Sequence, residues 1–179
     1  MGDSLTTIIA IFLAAILMFI FPLMSISERN DDIAQLAVQT ATVEFVDDIR
    51  TTGKITEEKY NAFIQTLGAT GNSYDVDMEV KILDENPGKK TTWAQTDKIG
   101  ENIYYSVYDS QIQSALFSTS GNKGYYPLKE GDVVSVSVRN TNTTISQMLR
   151  NFFYTVTGNN TYQVAATHTG MVMSNGNGK

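Results

Sequence analysis

The chain of 179 residues has no cysteine and one histidine. Without thiols there is no disulfide, no Cys-ligated zinc, no iron–sulfur cluster and no thiolate nucleophile. The lone His168 falls in the middle of a predicted strand, with no Ser or Asp beside it in a recognisable triad motif. It is read as a packed or surface residue. Cations are also scarce: 13 Lys+Arg stand against 19 Asp+Glu, for a net charge of −6. The few that occur are scattered, so the basic patch that a nucleic-acid partner requires is missing. There is no phosphate loop and no dinucleotide fingerprint. Asp75, Asp77 and Glu79 share one predicted strand face, which is the ordinary pattern of a wetted face rather than a cation site. No catalytic residue, cofactor or metal is expected, and the chain is not read as an enzyme.

The most informative absence is local. From Ser4 to Ser27 no residue is charged. At about 1.5 Å per residue this stretch can cross a bilayer core of about 30 Å. Twelve Leu, Ile and Phe lie between Leu5 and Leu23. At roughly −0.3 to −0.6 kcal/mol each, they favour insertion by about 4 to 7 kcal/mol, offset in part by Thr6, Thr7 and Pro22. An export signal has a basic start, a shorter apolar core and a small-x-small cleavage site. Here Asp3 precedes the run, the core is longer, and no such site follows, so a retained membrane helix is expected. Pro22 removes one backbone donor, which membrane helices tolerate. No basic cluster follows the run, so the larger part of the chain is expected outside the cytoplasm.

The helix is predicted to continue. In "IAQLAVQTATVEFVDDIR" a row at i+4 spacing runs through Ile33, Ala37, Ala41, Phe45 and Ile49, with Ala34, Val38 and Val46 beside it. Neither Gly nor Pro occurs between Leu23 and Thr52, and Gly53 supplies the stop. The row has two readings of equal weight: a packing surface for other copies, or a face that docks on the protein's own remaining residues.

The rest predicts an α+β head covering 53–173, a small antiparallel or mixed sheet covered by helices, then a flexible tail at 174–179. "ITEEKYNAFIQTLG" reads as a helix capped by Thr56, with Ile55 stapled onto Tyr60. "YDVDMEVKIL" alternates as a half-exposed strand. "DSQIQSALFS" is a short helix starting at Asp109. "YYPLKEGDVVSVSVRN" is two strands around a turn at Glu130–Gly131. "TTISQMLRNFFYTV" is a helix with a capping box of Thr144 and Gln147. "TYQVAATHTGMVM" is a last strand. The stretch from Thr91 to Ile103 has no assignment. Asn142 and Asn159 stand in glycosylation sequons, which matter only in a glycosylating host.

A brief leader-like "MG" runs straight into the apolar segment holding Pro22, an amphipathic rod follows to about Arg50, and a small α+β head comes last. This arrangement resembles a bacterial type IV pilin. The segments "EFVDDIRTTGKITEEKYNAFIQTLGATGNSYDVDMEV" and "YYPLKEGDVVSVSVRN" are similar to pilin-like proteins of Tad-type (tight adherence) clusters in Gram-positive bacteria. The resemblance implies a structural subunit held as a single-pass membrane protein before assembly, then bundled with copies of itself into a surface filament by a pilus assembly machinery. It implies leader cleavage after Gly2 and pairing of Asp3 with a neighbour's amine. The glutamate usual at the fifth mature position is replaced by Thr7. The bundle would be packed by Ile8, Ile9, Phe12, Leu13, Ile16, Phe19, Ile20 and Pro22, continued by Ile33, Ala37, Ala41 and Phe45. The alternative is a membrane-tethered accessory or binding domain of a secretion or conjugation machine, which needs the anchor but no polymer.

Overall fold

A computed structural model describes residues 2–84, 104–117, 124–145, 147–148, 151 and 165–176. Its longest element is the helix α1, Gly2–Thr52. At 51 residues it extends about 76 Å and passes through Pro22 without interruption. It ends where expected. Gly53 takes a left-handed φ of +68°, and its amide donates to Ile49 O at 2.8 Å, closing the last turn.

Around the distal half of α1 lie β1 (Lys54–Thr56), α2 (Glu57–Gly68), β2 (Tyr74–Leu83), β3 (Tyr104–Tyr108), α3 (Asp109–Phe117), β4 (Tyr125–Pro127), β5 (Val133–Asn140) and β6 (Ala165–Met171). The main sheet has the order β3-β2-β5-β6 and every pairing is antiparallel. β1 and β4 form a separate two-stranded ladder. Strand alternation decides which face is covered. Val134, Val136 and Val138 of β5 and Met78 and Val80 of β2 point inward and are buried. Ser135, Ser137, Asp75, Asp77 and Glu79 have the opposite parity and lie on the outer face.

The α+β head is thus as expected, and several local readings hold in detail. Thr56 caps α2, its hydroxyl accepting the Lys59 amide at 3.4 Å. Ile55 and Tyr60 share the core. The box at Thr144 is reciprocal: the Gln147 amide donates to Thr144 Oγ1 at 3.3 Å, and the Thr144 amide donates to Gln147 Oε1 at 3.2 Å. Ile145, Gln147, Met148 and Asn151 are helical. The remainder of that predicted helix, with Asn159 and residues 91–103, lies outside the described residues.

Other readings are extended or revised. The turn at Glu130–Gly131 exists, with Gly131 at φ +94°. Its flanking strands do not pair with each other: β4 joins β1, while β5 lies between β2 and β6. The strand β3 was not anticipated. The tail expected to be flexible from 174 is held through Gly176, whose amide donates to Leu128 O at 2.9 Å, while the Glu130 amide donates to Asn175 Oδ1 at 3.0 Å. A side chain at Gly53 or Gly176 would collide with the other's backbone, so two glycines permit this close crossing.

Candidate functional site: one helix with two surroundings

The core does not stop at the expected boundary of 52. Ala34, Val38, Ala41, Phe45, Val46 and Ile49 of α1 are buried, and α1 packs against β5, β6 and α2. Phe45 and Phe63 stack with ring centroids 4.4 Å apart. Burial of each large side chain here stabilises the head by about 1.5 to 3 kcal/mol.

The buried face differs from the predicted row. Ile33 and Ala37 are exposed, whereas Ala41, Phe45 and Ile49 are covered. A strict i+4 row advances 40° per step beyond a full turn, so over four steps it leaves any single face. The docked face instead alternates steps of three and four through Ala34, Val38, Ala41 and Phe45. This corrects the assignment of Ala41 and Phe45 to packing between copies: both are spent on the protein's own head. Ile33 and Ala37 remain on the outward side.

Polar contacts clamp the rod along the same face. Gln35 reads the backbone at the start of β6: its Nε2 donates to Ala165 O at 2.7 Å, and the Ala165 amide donates to its Oε1 at 3.1 Å. Asp31, buried near the neck, accepts from the Thr144 hydroxyl at 2.9 Å. It lies at the N-terminal end of the Thr144-capped turn, where helix dipoles favour an anion. At the far end Arg50 Nε donates to Met171 O at 3.0 Å, and the Met173 amide donates to Arg50 O at 2.9 Å. Gly170 makes room for this, since a Cβ there would lie 2.2 Å from Arg50 Cδ. None of these partners was legible in the sequence, because each pair is more than 100 residues apart.

Among the described residues, none covers the proximal half of α1 in this way. Phe12 and Phe19 are each 71% exposed, against 6% for Phe45. Ile8, Ile9, Ile11 and Leu13 are also exposed, as is Pro22; Ile16 and Ile20 are half-buried. Within the described residues this is the one helix long and apolar enough to cross a membrane. Its two threonines are already satisfied, the hydroxyls of Thr6 and Thr7 donating to Asp3 O at 2.9 and 2.7 Å. Gly2 opens the helix, and Asp3 is exposed in its first turn.

Among the described residues no group of three or more metal-ligating side chains is assembled. His168 sits on β6 facing α1, with Nε2 4.0 Å from Asp47 Oδ1. Asp47 also pairs with Arg50 at 2.6 Å, and Lys59 pairs with Asp48. The acidic row of β2 is partly neutralised: Arg139 Nη2 lies 2.8 Å from Asp77 and 3.6 Å from Asp75. Burial raises the Tyr60 phenol and the Asp109 carboxyl above their ordinary values; Gln113, which donates to both, opposes the rise.

No family model, no curated protein and no solved structure matches this chain.

Proposed function

We propose that the chain is a structural, pilin-like subunit of a type IV, Tad-like surface filament, with a mechanical rather than a catalytic role. In this reading the proximal half of α1 first sits in the membrane as a single span. It then exchanges lipid for the same half-helix of neighbouring copies as an assembly machinery draws them into a filament. The observation that carries the proposal is the continuity of α1. Its uncovered apolar half and its clamped half are one unbroken helix, so a head is rigidly tied to a long adhesive rod. A plain anchor needs only apolarity; a filament subunit also needs a fixed direction between core and head. With Ala41 and Phe45 occupied, the bundle residues are Ile8, Ile9, Phe12, Leu13, Ile16, Phe19, Ile20 and Pro22, with Ile33 and Ala37 reaching beyond the bilayer. Leader cleavage at Gly2 and charge pairing by Asp3 belong to the same proposal.

The test is electron microscopy of material sheared from native cells, using an antibody against the head. Label along thin filaments is the expected result. Ile11→Glu or Ile16→Glu should abolish those filaments while the head remains folded, because a carboxylate there costs about 2.5 to 3.5 kcal/mol in an apolar setting. Normal filaments from either variant would defeat the bundle. Replacement of residues 4–27 by an unrelated apolar helix separates the tethered-domain alternative, which keeps its function after that exchange.

A further inference from the structure

The outer face of the sheet, away from α1, carries a concavity that the filament reading leaves unused. β3 ends at Tyr108, opposite Glu79, while β2 runs on to Tyr74, so the sheet has a step at that corner. The start of α3 turns in beside the step. The resulting cavity of about 520 Å³ is lined by Asp77, Glu79, Tyr108, Asp109, Ser135 and Ser137, among others. That size falls within the range of small-molecule sites, about 300 to 1,000 Å³.

Its walls combine three kinds of group. Tyr108 is 59% exposed and offers a ring. Two of the carboxylates are each held by a neighbouring donor: Arg139 Nη2 donates to Asp77 Oδ2 at 2.8 Å, and Ser106 Oγ donates to Glu79 Oε1 at 2.6 Å. Each carboxylate therefore keeps a second oxygen with accepting capacity. The hydroxyls of Ser135 and Ser137 share hydrogen bonds of 2.9 and 3.0 Å with Thr169 and Thr167, and being both donors and acceptors they retain further capacity. Among the described residues, Asp75, Asp77 and Glu79 of this face, with Asp109 of the cavity lining, outnumber the cations Arg139 and Lys81. Burial raises the Asp109 carboxyl, and the charges of Asp77 and Asp75 add to that rise, as expected where like charges crowd a cleft.

An anionic ligand is repelled here, and a purely apolar one leaves the carboxylates desolvated and unpaired. A ring bearing many hydroxyl donors and a positive group satisfies all three wall types. We propose that this corner is a saccharide-binding site selective for hexosamine units, with a sugar face on Tyr108, hydroxyls donating to Asp77 and Glu79, and the ammonium held by the carboxylate surplus. The site belongs to the head and stands whether or not the chain forms filaments.

The test is titration of the full chain in detergent micelles, by calorimetry, with a glucosamine tetramer, maltotetraose and spermine. The glucosamine tetramer is expected to bind more tightly than maltotetraose. Tyr108→Ala should weaken it by roughly tenfold, the scale of one lost aromatic contact, while Tyr108→Phe retains binding. Asp77→Asn should also weaken it, and Glu58→Gln on the exposed start of α2 should not. No heat from the glucosamine tetramer at millimolar concentrations overturns the proposal. So does binding that Tyr108→Ala leaves unchanged, or that follows spermine in every variant, since either makes it charge attraction alone. Detergent-dispersed chains carry no filament, so failure here leaves the filament proposal standing.

Discussion

The two halves of α1 form one continuous helix but differ in how their apolar residues are distributed and in what surrounds them. Phe12 and Phe45 both lie on a continuous helix, one bare and the other stacked on Phe63. The proximal half is apolar on every side, so no rotation about its axis hides it from water. The distal half confines its apolar groups to one stripe, and the head covers that stripe. All-round apolarity calls for a surrounding medium, lipid or other helices, whereas a stripe calls for one partner surface.

Mutations that exchange these environments sharpen the contrast. The largest effect is expected from Phe45→Ala, which should cost the head about 3 to 5 kcal/mol. Phe12→Ala should change head stability by less than about 0.5 kcal/mol. Urea unfolding of the full chain in detergent, followed by near-ultraviolet circular dichroism of the tyrosines, measures both. Equal losses would mean that the halves are not separate environments.

Gly53→Ala should rank next, at about 1 to 3 kcal/mol for a left-handed non-glycine residue, before any cost of displacing the backbone at Ser174–Gly176. The same unfolding assay reads it, and a neutral result would show that the crossing of the two glycines is not needed. Thr144→Val should cost about 1 to 2 kcal/mol, because it removes the helix cap and leaves the buried Asp31 without that hydroxyl. If Asp31→Ala on the Val background restores stability, the loss came from the stranded carboxylate rather than from the cap.

The smallest expected effect concerns pH. Burial raises the Asp109 carboxyl, so the folded head holds that proton more tightly than the unfolded chain. The resulting stabilisation is complete below the ordinary aspartate range and is lost as pH rises through the raised folded value. Asp109→Asn should therefore flatten a decline in Tm over that interval. An unchanged decline would assign it to another group.

Much of this was legible beforehand for a physical reason. Helix starts and stops depend on neighbours within a few residues, so the caps at Thr56 and Thr144 and the stop at Gly53 could be read directly. Strand alternation placed Val134, Val136 and Val138 inward because side-chain parity is local. Pairing partners were not legible. The two strands around Glu130–Gly131 complete different ladders rather than pairing with each other, and β3 follows a stretch with no clear pattern. The saccharide corner was equally hidden. Its acids were visible as a wetted strand face, but the step where β3 stops short of β2, and Tyr108 at its rim, are properties of the sheet.

The sequence by itself determined that one long helix begins this chain, that its first half is apolar on all sides, and that an α+β head follows. Those features rest on composition and short-range periodicity. Only the tertiary structure decided which face of the rod the head takes. That choice depends on contacts such as Gln35 with Ala165, Asp31 with Thr144 and Arg50 with Met171. Groups so far apart along the chain meet only when the whole core closes around α1.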